Sequence, residues 1–375
     1  MEGRNKKMEL LGNAPIPKAL LAMGLPTMIG MMINALYNLV DAYFVGGLGT
    51  SQMGAISVAF PLGQVVVGLG LLFGNGGASY ISRLLGRGDR ETADRAASTA
   101  LYSSIFVGAA VILCAVIFLK PLLKCLGATD SILPYAVTYA GIYVVSSIFN
   151  VFNVTMNNIV TSEGAARTTM CVLLTGAAFN MVLDPVFIYV LKLGVAGAAI
   201  ATAISQAVST LIYLYYVISG RSMFSFRFRN CCFSNEIMSE ILKIGIPTLA
   251  FQLLTSLSIT MINMQAKPYG DSVIAGMGAV TRMISLGSLM VFGFIKGFQP
   301  IAGYNYGAGN YERLHEAIRI SVVWSTLFCA VFGLTMAVFS GPVISRFTKN
   351  DMEMIRIGQK ALKANGLSFL LFGFY

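Results

Sequence analysis

The chain has 375 residues, of which 56% are hydrophobic and only 11% charged, and its mean hydropathy is +0.74. Soluble globular domains carry roughly a quarter charged residues, so this composition excludes an ordinary soluble fold and points to a chain that lives in a bilayer. The formal net charge of +10 has the sign of a nucleic-acid binder's, but the basic residues lie in short links beside apolar runs, where they set topology, and no nucleic-acid partner is expected.

In chain order, residues 1–16 read as a polar leader, and no apolar stretch with a small-residue cleavage site precedes the first run. Ten apolar runs follow: 17–44, 53–74, 95–119, 132–156, 167–191, 195–218, 240–264, 275–300, 317–340 and 354–374. Each is about twenty residues long, enough to cross hydrocarbon as a helix, so the expected fold is an all-α polytopic membrane protein. The links alternate in character. The leader, a Gly-rich 75–94 loop (Arg83, Arg87, Arg90), the 219–243 loop (Arg221, Arg227, Arg229, Lys243) and the 301–316 loop are basic, whereas links such as Gly46–Gln52 are nearly uncharged. Counting each Lys and Arg to its nearer side gives about 15 on the leader's side against about 9, which places the N-terminus in the cytoplasm, the spans lying in the plasma membrane. Arg356, Lys360 and Lys363 on the last run fall on the opposite side.

The most informative feature is an internal repeat at a constant offset of 221 residues. Leu20-Leu21-x-x-Gly24-x-Pro26-Thr27 falls on Ile241-Leu242-x-x-Gly245-x-Pro247-Thr248, and Gly49-x-Ser51 on Gly270-x-Ser272. Gly76 falls on Gly297, Gly86-x-Gly88-x-x-Glu91 on Gly307-x-Gly309-x-x-Glu312, and Pro121 and Asp130 on Pro342 and Asp351. Six spans separate the copies, an even number, so the repeat is parallel, about an axis along the membrane normal. The division expected is a leader (1–16), an N-lobe of six helices (17–218), a linker (219–239) and a C-lobe (240–375). A complete second copy would reach about residue 439, so the C-lobe is expected to lack its last two helices and the sequence to be a fragment or truncated product.

Ionisable groups inside a bilayer are costly and mark pathways. Asp41 in the first run and Asp184 in the fifth lie a turn or two short of their outer ends, and Thr202 in the sixth falls at a similar depth. Asn180 and Asp184 share a helix face, as do Asn34, Tyr37, Asn38 and Asp41, and Thr202 and Gln206 repeat the pattern. One reading is plain interhelical hydrogen bonding. The other is a site: two nearby carboxylates in low dielectric do not easily both ionise, so one holds a proton or both hold a cation. Oxygens of Asp41, Asn180, Asp184 and Thr202 suit a hard cation. The second copy has Ile262 where the first has Asp41. Pro26, mid-span, weakens its helix and reads as a kink or a hinge. Asn150, Asn153 and Asn157 form a polar stripe on the fourth run, towards its cytoplasmic end. Lys296 reads as a snorkelling lysine, and Arg282 has no evident acidic partner. The six cysteines and the single His315 show no metal-ligand spacing, although the vicinal pair Cys231–Cys232 is a candidate redox site. No phosphate-binding loop occurs, which disfavours ATP-driven transport by this chain alone.

The pattern Gly24-x-Pro26, Asp41, Leu85-Gly86-x-Gly88-Asp89, Asn180-x-x-x-Asp184-Pro185 and Gln299-Pro300-x-x-Gly303-Tyr304-Asn305-Tyr306-Gly307 resembles the multidrug and toxic compound extrusion (MATE) family over essentially the whole chain. The resemblance implies twelve helices in two lobes and a central cleft exporting drug-like, often cationic compounds in exchange for H⁺ or Na⁺, with no other cofactor. It implies that Asp41, Asn180, Asp184 and Thr202 form the cation site, that Pro26 is where the first helix bends, and that Tyr37, Tyr139 and Asn153 line the cavity. The seventh and tenth runs lack the acidic residues of some members, so the chain resembles the bacterial DNA-damage-inducible F-type branch. Drug-like small molecules and membrane lipid are the expected partners of a monomer. The alternatives are a lipid-linked oligosaccharide flippase, which favours an arginine-rich cavity, an intramembrane enzyme, for which the catalytic constellation is missing, and a non-transporting membrane protein.

Overall fold

The computed structural model describes residues 2–266, 271–345 and 352–374. Thirteen α-helices appear among them: α1 (Glu2–Gly12), α2 (Ile16–Gly46), α3 (Thr50–Arg87), α4 (Arg90–Ile117), α5 (Leu119–Cys125), α6 (Leu133–Ser162), α7 (Ala166–Pro185), α8 (Val195–Ile218), α9 (Asn235–Ala266), α10 (Asp271–Gly307), α11 (Tyr311–Val338), α12 (Ser340–Ile344) and α13 (Met352–Phe372). Nine are long and apolar enough to cross a membrane among the described residues, and the chain is a multi-pass helical membrane protein. The tenth expected run does form a helix, α13, but the exposed Arg356, Lys360 and Lys363 keep it from being as apolar as the other nine.

The helices overrun the expected links, for a physical reason. The leader is helical over α1, and α9 begins at Asn235 rather than at 240. The Gly-rich stretch expected as a loop from residue 75 is helix as far as Arg87, and only Gly88 and Asp89 separate α3 from α4. Its glycines serve close packing rather than a turn. A Cβ at Gly74 would stand 3.0 Å from Thr155 Cα on α6, one at Gly76 3.2 Å from Gly245 N on α9, and one at Gly77 2.8 Å from Ala100 Cβ on α4. Three neighbours thus approach α3 at successive glycines. The real turn is made by Gly88, at φ +78°, where an L side chain is strained, and by Asp89, whose carboxylate caps α4 by accepting from Thr92 N at 3.0 Å. The 301–316 link contracts in the same way to residues 308–310, with Gly309 at φ +70° and Asn310 capping α11 through Arg313 N at 3.2 Å.

By contact, α3 packs on α4 and α6, α2 on α7, and α6 and α7 on α8, while α10, α11 and α13 pack on one another. The two groups meet where α2 and α3 press on α9 and α10. That seam is made by small residues on the half of each helix near the leader: Gly24 against Gly297, Gly76 against Ile241 and Gly245, Gly86 against the Tyr304 carbonyl, and Gly307 against the Arg83 carbonyl. Polar bonds reinforce it, Asn75 Nδ2 to Thr248 Oγ1 at 3.0 Å and Arg83 to Glu240 at 2.9 Å. Lys296 belongs to the same seam. Its ammonium donates to Asn157 Oδ1 on α6, so it bridges the two groups of helices and does not snorkel to an interface.

Candidate functional site

The site begins with α7, which ends Asn180-x-x-x-Asp184-Pro185. One turn of spacing puts both polar side chains on one face, and that face is buried: Asn180 is 2% exposed and Asp184 0%. Proline at 185 withdraws a backbone donor, and the chain continues as a wider π-type turn over Val186–Val190. That irregularity brings Tyr189 to α2, where its hydroxyl donates to the Phe44 carbonyl at 2.6 Å. The outer ends of α2 and α7 are therefore tied together beside Asp41.

Asp41 and Asp184 meet. Their carboxyl groups come within hydrogen-bonding reach of each other, and such a contact holds only when one carries a proton or a cation lies between them. Asn180 Nδ2 is 3.4 Å from Asp184 Oδ1 and 3.4 Å from Thr202 Oγ1 on α8. Asp41 Oδ1, Asn180 Oδ1 and Asp184 Oδ2 are buried, and none receives a hydrogen bond from a donor of the chain. Buried acceptors are normally satisfied. Three unmet oxygens on neighbouring side chains, beside the Thr202 hydroxyl, make a cluster of acceptors short of donors.

The four residues expected to form a cation site are thus brought together. Tyr139, expected on a cavity wall, is 6% exposed and is stacked on Tyr143 with centroids 5.8 Å apart. Tyr143, the ring it stacks on, escaped the sequence reading because a Tyr one turn from another looks like ordinary packing. Asn153 is likewise 8% exposed. Its amide donates to Gln206 Oε1 at 2.8 Å, and its Oδ1 accepts from Thr210 at 3.1 Å. One turn further towards the leader, Asn157 joins Tyr213 at 3.1 Å and Lys296. Asn153 and Asn157 therefore form a polar seam between α6 and α8. Pro26 lies inside a continuous α2, two residues beyond the Gly24–Gly297 contact that pins this helix to α10. The side chain of Asn38 lies outside those the structure describes. Arg282 is exposed, and no cluster of three or more His, Cys, Asp or Glu side chains able to hold a metal occurs among the described residues. All six cysteines are free, and burial raises the Cys231 thiol above its usual range, against a reactive thiolate.

A bundle of long apolar helices in two packed groups, with two acids side by side within one group, defines a polytopic membrane protein that keeps carboxyl groups at membrane depth. The profile described as MatE matches residues 26–186 and again 247–375, so the chain belongs to that family. It is 29% identical to the multidrug export protein MepA of Staphylococcus aureus (strain MRSA252) over 377 residues, spanning 99% of this chain and 83% of MepA. Among solved structures, a MATE protein in the straight conformation is similar with a TM-score of 0.92 at 29% identity, over 98% of this chain and 82% of that one. An outward-facing multidrug resistance MATE family transporter of the MOP superfamily matches with the same score, identity and coverage.

Proposed function

We propose that the chain exports drug-like, often cationic compounds across a bacterial plasma membrane in exchange for H⁺ or Na⁺, and that Asp41, Asn180, Asp184 and Thr202 hold the coupling cation. The observation carrying this reading is the contact between Asp41 and Asp184 with three unmet oxygens around it. An asparagine pair would join the helices without the cost of charge, so paired acids imply a cation as the third party. That the staphylococcal relative is a multidrug export protein supports the substrate class.

In this reading the N-lobe is residues 17–218, the C-lobe begins at 240, the two are parallel repeats, and the leader end faces the cytoplasm. Helix bounds support the repeat: α3 and α4 begin at Thr50 and Arg90, α10 and α11 at Asp271 and Tyr311, each 221 residues later. The two profile matches begin at 26 and 247, the same interval. The caps Asp89–Thr92 and Asn310–Arg313 correspond at that offset, as do the reciprocal contacts of Gly86 with Tyr304 and Gly307 with Arg83. Tight packing of the lobes at the leader end accords with a cleft closed on that side and reached from the other. Binding of the cation there favours release of drug and reorientation, with Pro26 as the point where the outer part of α2 moves relative to its pinned inner turns. C-terminal to Glu240 in α9 and to Glu353 in α13 neither helix carries an acidic residue, which accords with the F-type branch, in which coupling resides in the N-lobe.

The test is ethidium efflux from proteoliposomes. Asp41→Asn and Asp184→Asn are each expected to lower it at least ten-fold while leaving insertion intact. Undiminished efflux in both variants would overturn the mechanism.

A further inference from the structure

The segment between α8 and α9 does not hang free. It is strapped along one face of α4. Asp94 accepts from Ser225 N at 3.3 Å and from its hydroxyl at 3.2 Å, and Ser98 donates to the Ser225 carbonyl at 3.3 Å. The Thr99 hydroxyl donates to the Cys232 carbonyl and accepts from its amide, both at 3.1 Å, and Tyr102 donates to the Phe226 carbonyl at 3.0 Å. The strap thus climbs α4 to the level of Tyr102. Arg95 is the last charged residue on that helix, so Tyr102 stands about 10 Å further into the apolar span, at 1.5 Å per residue. The ring of Phe228 meets Tyr102 edge-on at 5.2 Å and is 74% exposed, while Phe106, the next turn of the same face, is 76% exposed. At that depth the neighbours of such rings are lipid tails.

Beside this aromatic wedge is a cavity of about 650 Å³ lined in part by Arg95, Arg227 and Arg229. Its acidic residues are engaged: Glu91 pairs with Arg95 at 2.6 Å and Asp94 holds Ser225. Arg227 and Arg229 are exposed and enter none of the ion pairs formed among the described residues. Two guanidinium groups outside those ion pairs thus flank an exposed ring level with the apolar part of α4. That combination fits a phosphodiester with attached acyl chains, since guanidinium forks match phosphate oxygens.

We propose that the α8–α9 strap is a binding site for one anionic phospholipid, its phosphate held by Arg227 and Arg229 and a chain lying along Phe228, Tyr102 and Phe106. The site belongs to the inter-group segment and does not depend on the exporter reading. Native mass spectrometry of the full chain, with phosphatidylglycerol and phosphatidylcholine as probes, tests it. The wild-type chain is expected to retain one phosphatidylglycerol in preference to phosphatidylcholine. Each arginine near an anionic surface is worth about five-fold, so Arg227→Gln with Arg229→Gln is expected to lower that preference about 25-fold. Phe228→Ser is expected to weaken retention of the same lipid. Arg87→Gln with Arg90→Gln, an equal loss of charge on the α3–α4 turn, is expected to leave it unchanged. If the double variant at 227 and 229 fails to insert, the two single variants, each about five-fold down, carry the test. No preference in the wild-type chain, an unchanged preference in the Arg227 and Arg229 variants, an equal loss in the Arg87–Arg90 variant, or displacement by soluble glycerol phosphate would overturn the proposal.

Discussion

Asp184 is fully buried; the Asn180 amide donates to one of its oxygens at 3.4 Å, and another acid, Asp41, lies beside it. Two acids that share one cation act as a unit, and removal of either leaves nothing for the second removal to take away. The double variant Asp41→Asn with Asp184→Asn is therefore expected to export ethidium no more slowly than the worse single variant. A further multiplicative fall in a transport assay would mean that the two act at separate steps. Residue chemistry of a humbler kind sets the α3–α4 turn. The Thr92 hydroxyl and amide hold the Asp89 carboxyl below the usual carboxylate range, so its stabilising contribution is complete above the ordinary carboxylate pKa and is lost as the pH falls through the lower folded value. Asp89→Ala is expected to cost about 1 kcal/mol, with Asp89→Asn nearly neutral, as read from thermal unfolding in detergent at neutral pH.

At the scale of elements, the helices of the two groups touch through glycine. A Cβ at Gly86 or Gly307 would collide with a backbone carbonyl of the facing helix, and a carbonyl cannot turn aside as a long side chain can. Gly86→Leu is thus expected to wedge α3 from α10 and lengthen the distance between spin labels at Arg87 and Tyr311. Lys296 works in the opposite sense. Its bond to Asn157 holds α10 against α6, and a charge-assisted bond of this kind contributes about 2 kcal/mol. Lys296→Met is expected to move the same label pair towards the separated population by ten-fold or more, and a distribution identical to wild type would refute the bridge. These contacts also explain what misled the reading of links. Glycine clusters near residues 75 and 303 look like turns in one dimension, whereas in a membrane bundle they are the places where another backbone comes close.

For the whole molecule, the separate imposition of a pH gradient and a sodium gradient on proteoliposomes is expected to show drug efflux driven by one of them and cancelled by its collapse. Efflux under neither would argue for a non-transporting member of the family. The four residues of the carboxyl cluster were legible in the sequence because charge at membrane depth is rare enough to stand out, and the helical spacing of Asn180 and Asp184 fixed their common face. Tyr143 and Tyr189 were not legible, since a tyrosine in an apolar helix is unremarkable until the partner it reaches is known.

Sequence alone determined the class: apolar runs of spanning length force helices in a bilayer, where backbone groups have no other partners, and the motifs from Gly24 to Gly307 pointed to the family that the profile matched. Tertiary structure decided which of those polar residues meet. Asp41 and Asp184 are 143 positions apart in the chain, and only the packing of α2 on α7 sets them side by side. The same holds for Lys296, whose place in the sequence suggested a side chain reaching for water. Its partner Asn157 lies on a helix of the other group, and no local spacing encodes an approach made by two bundles closing on their glycines.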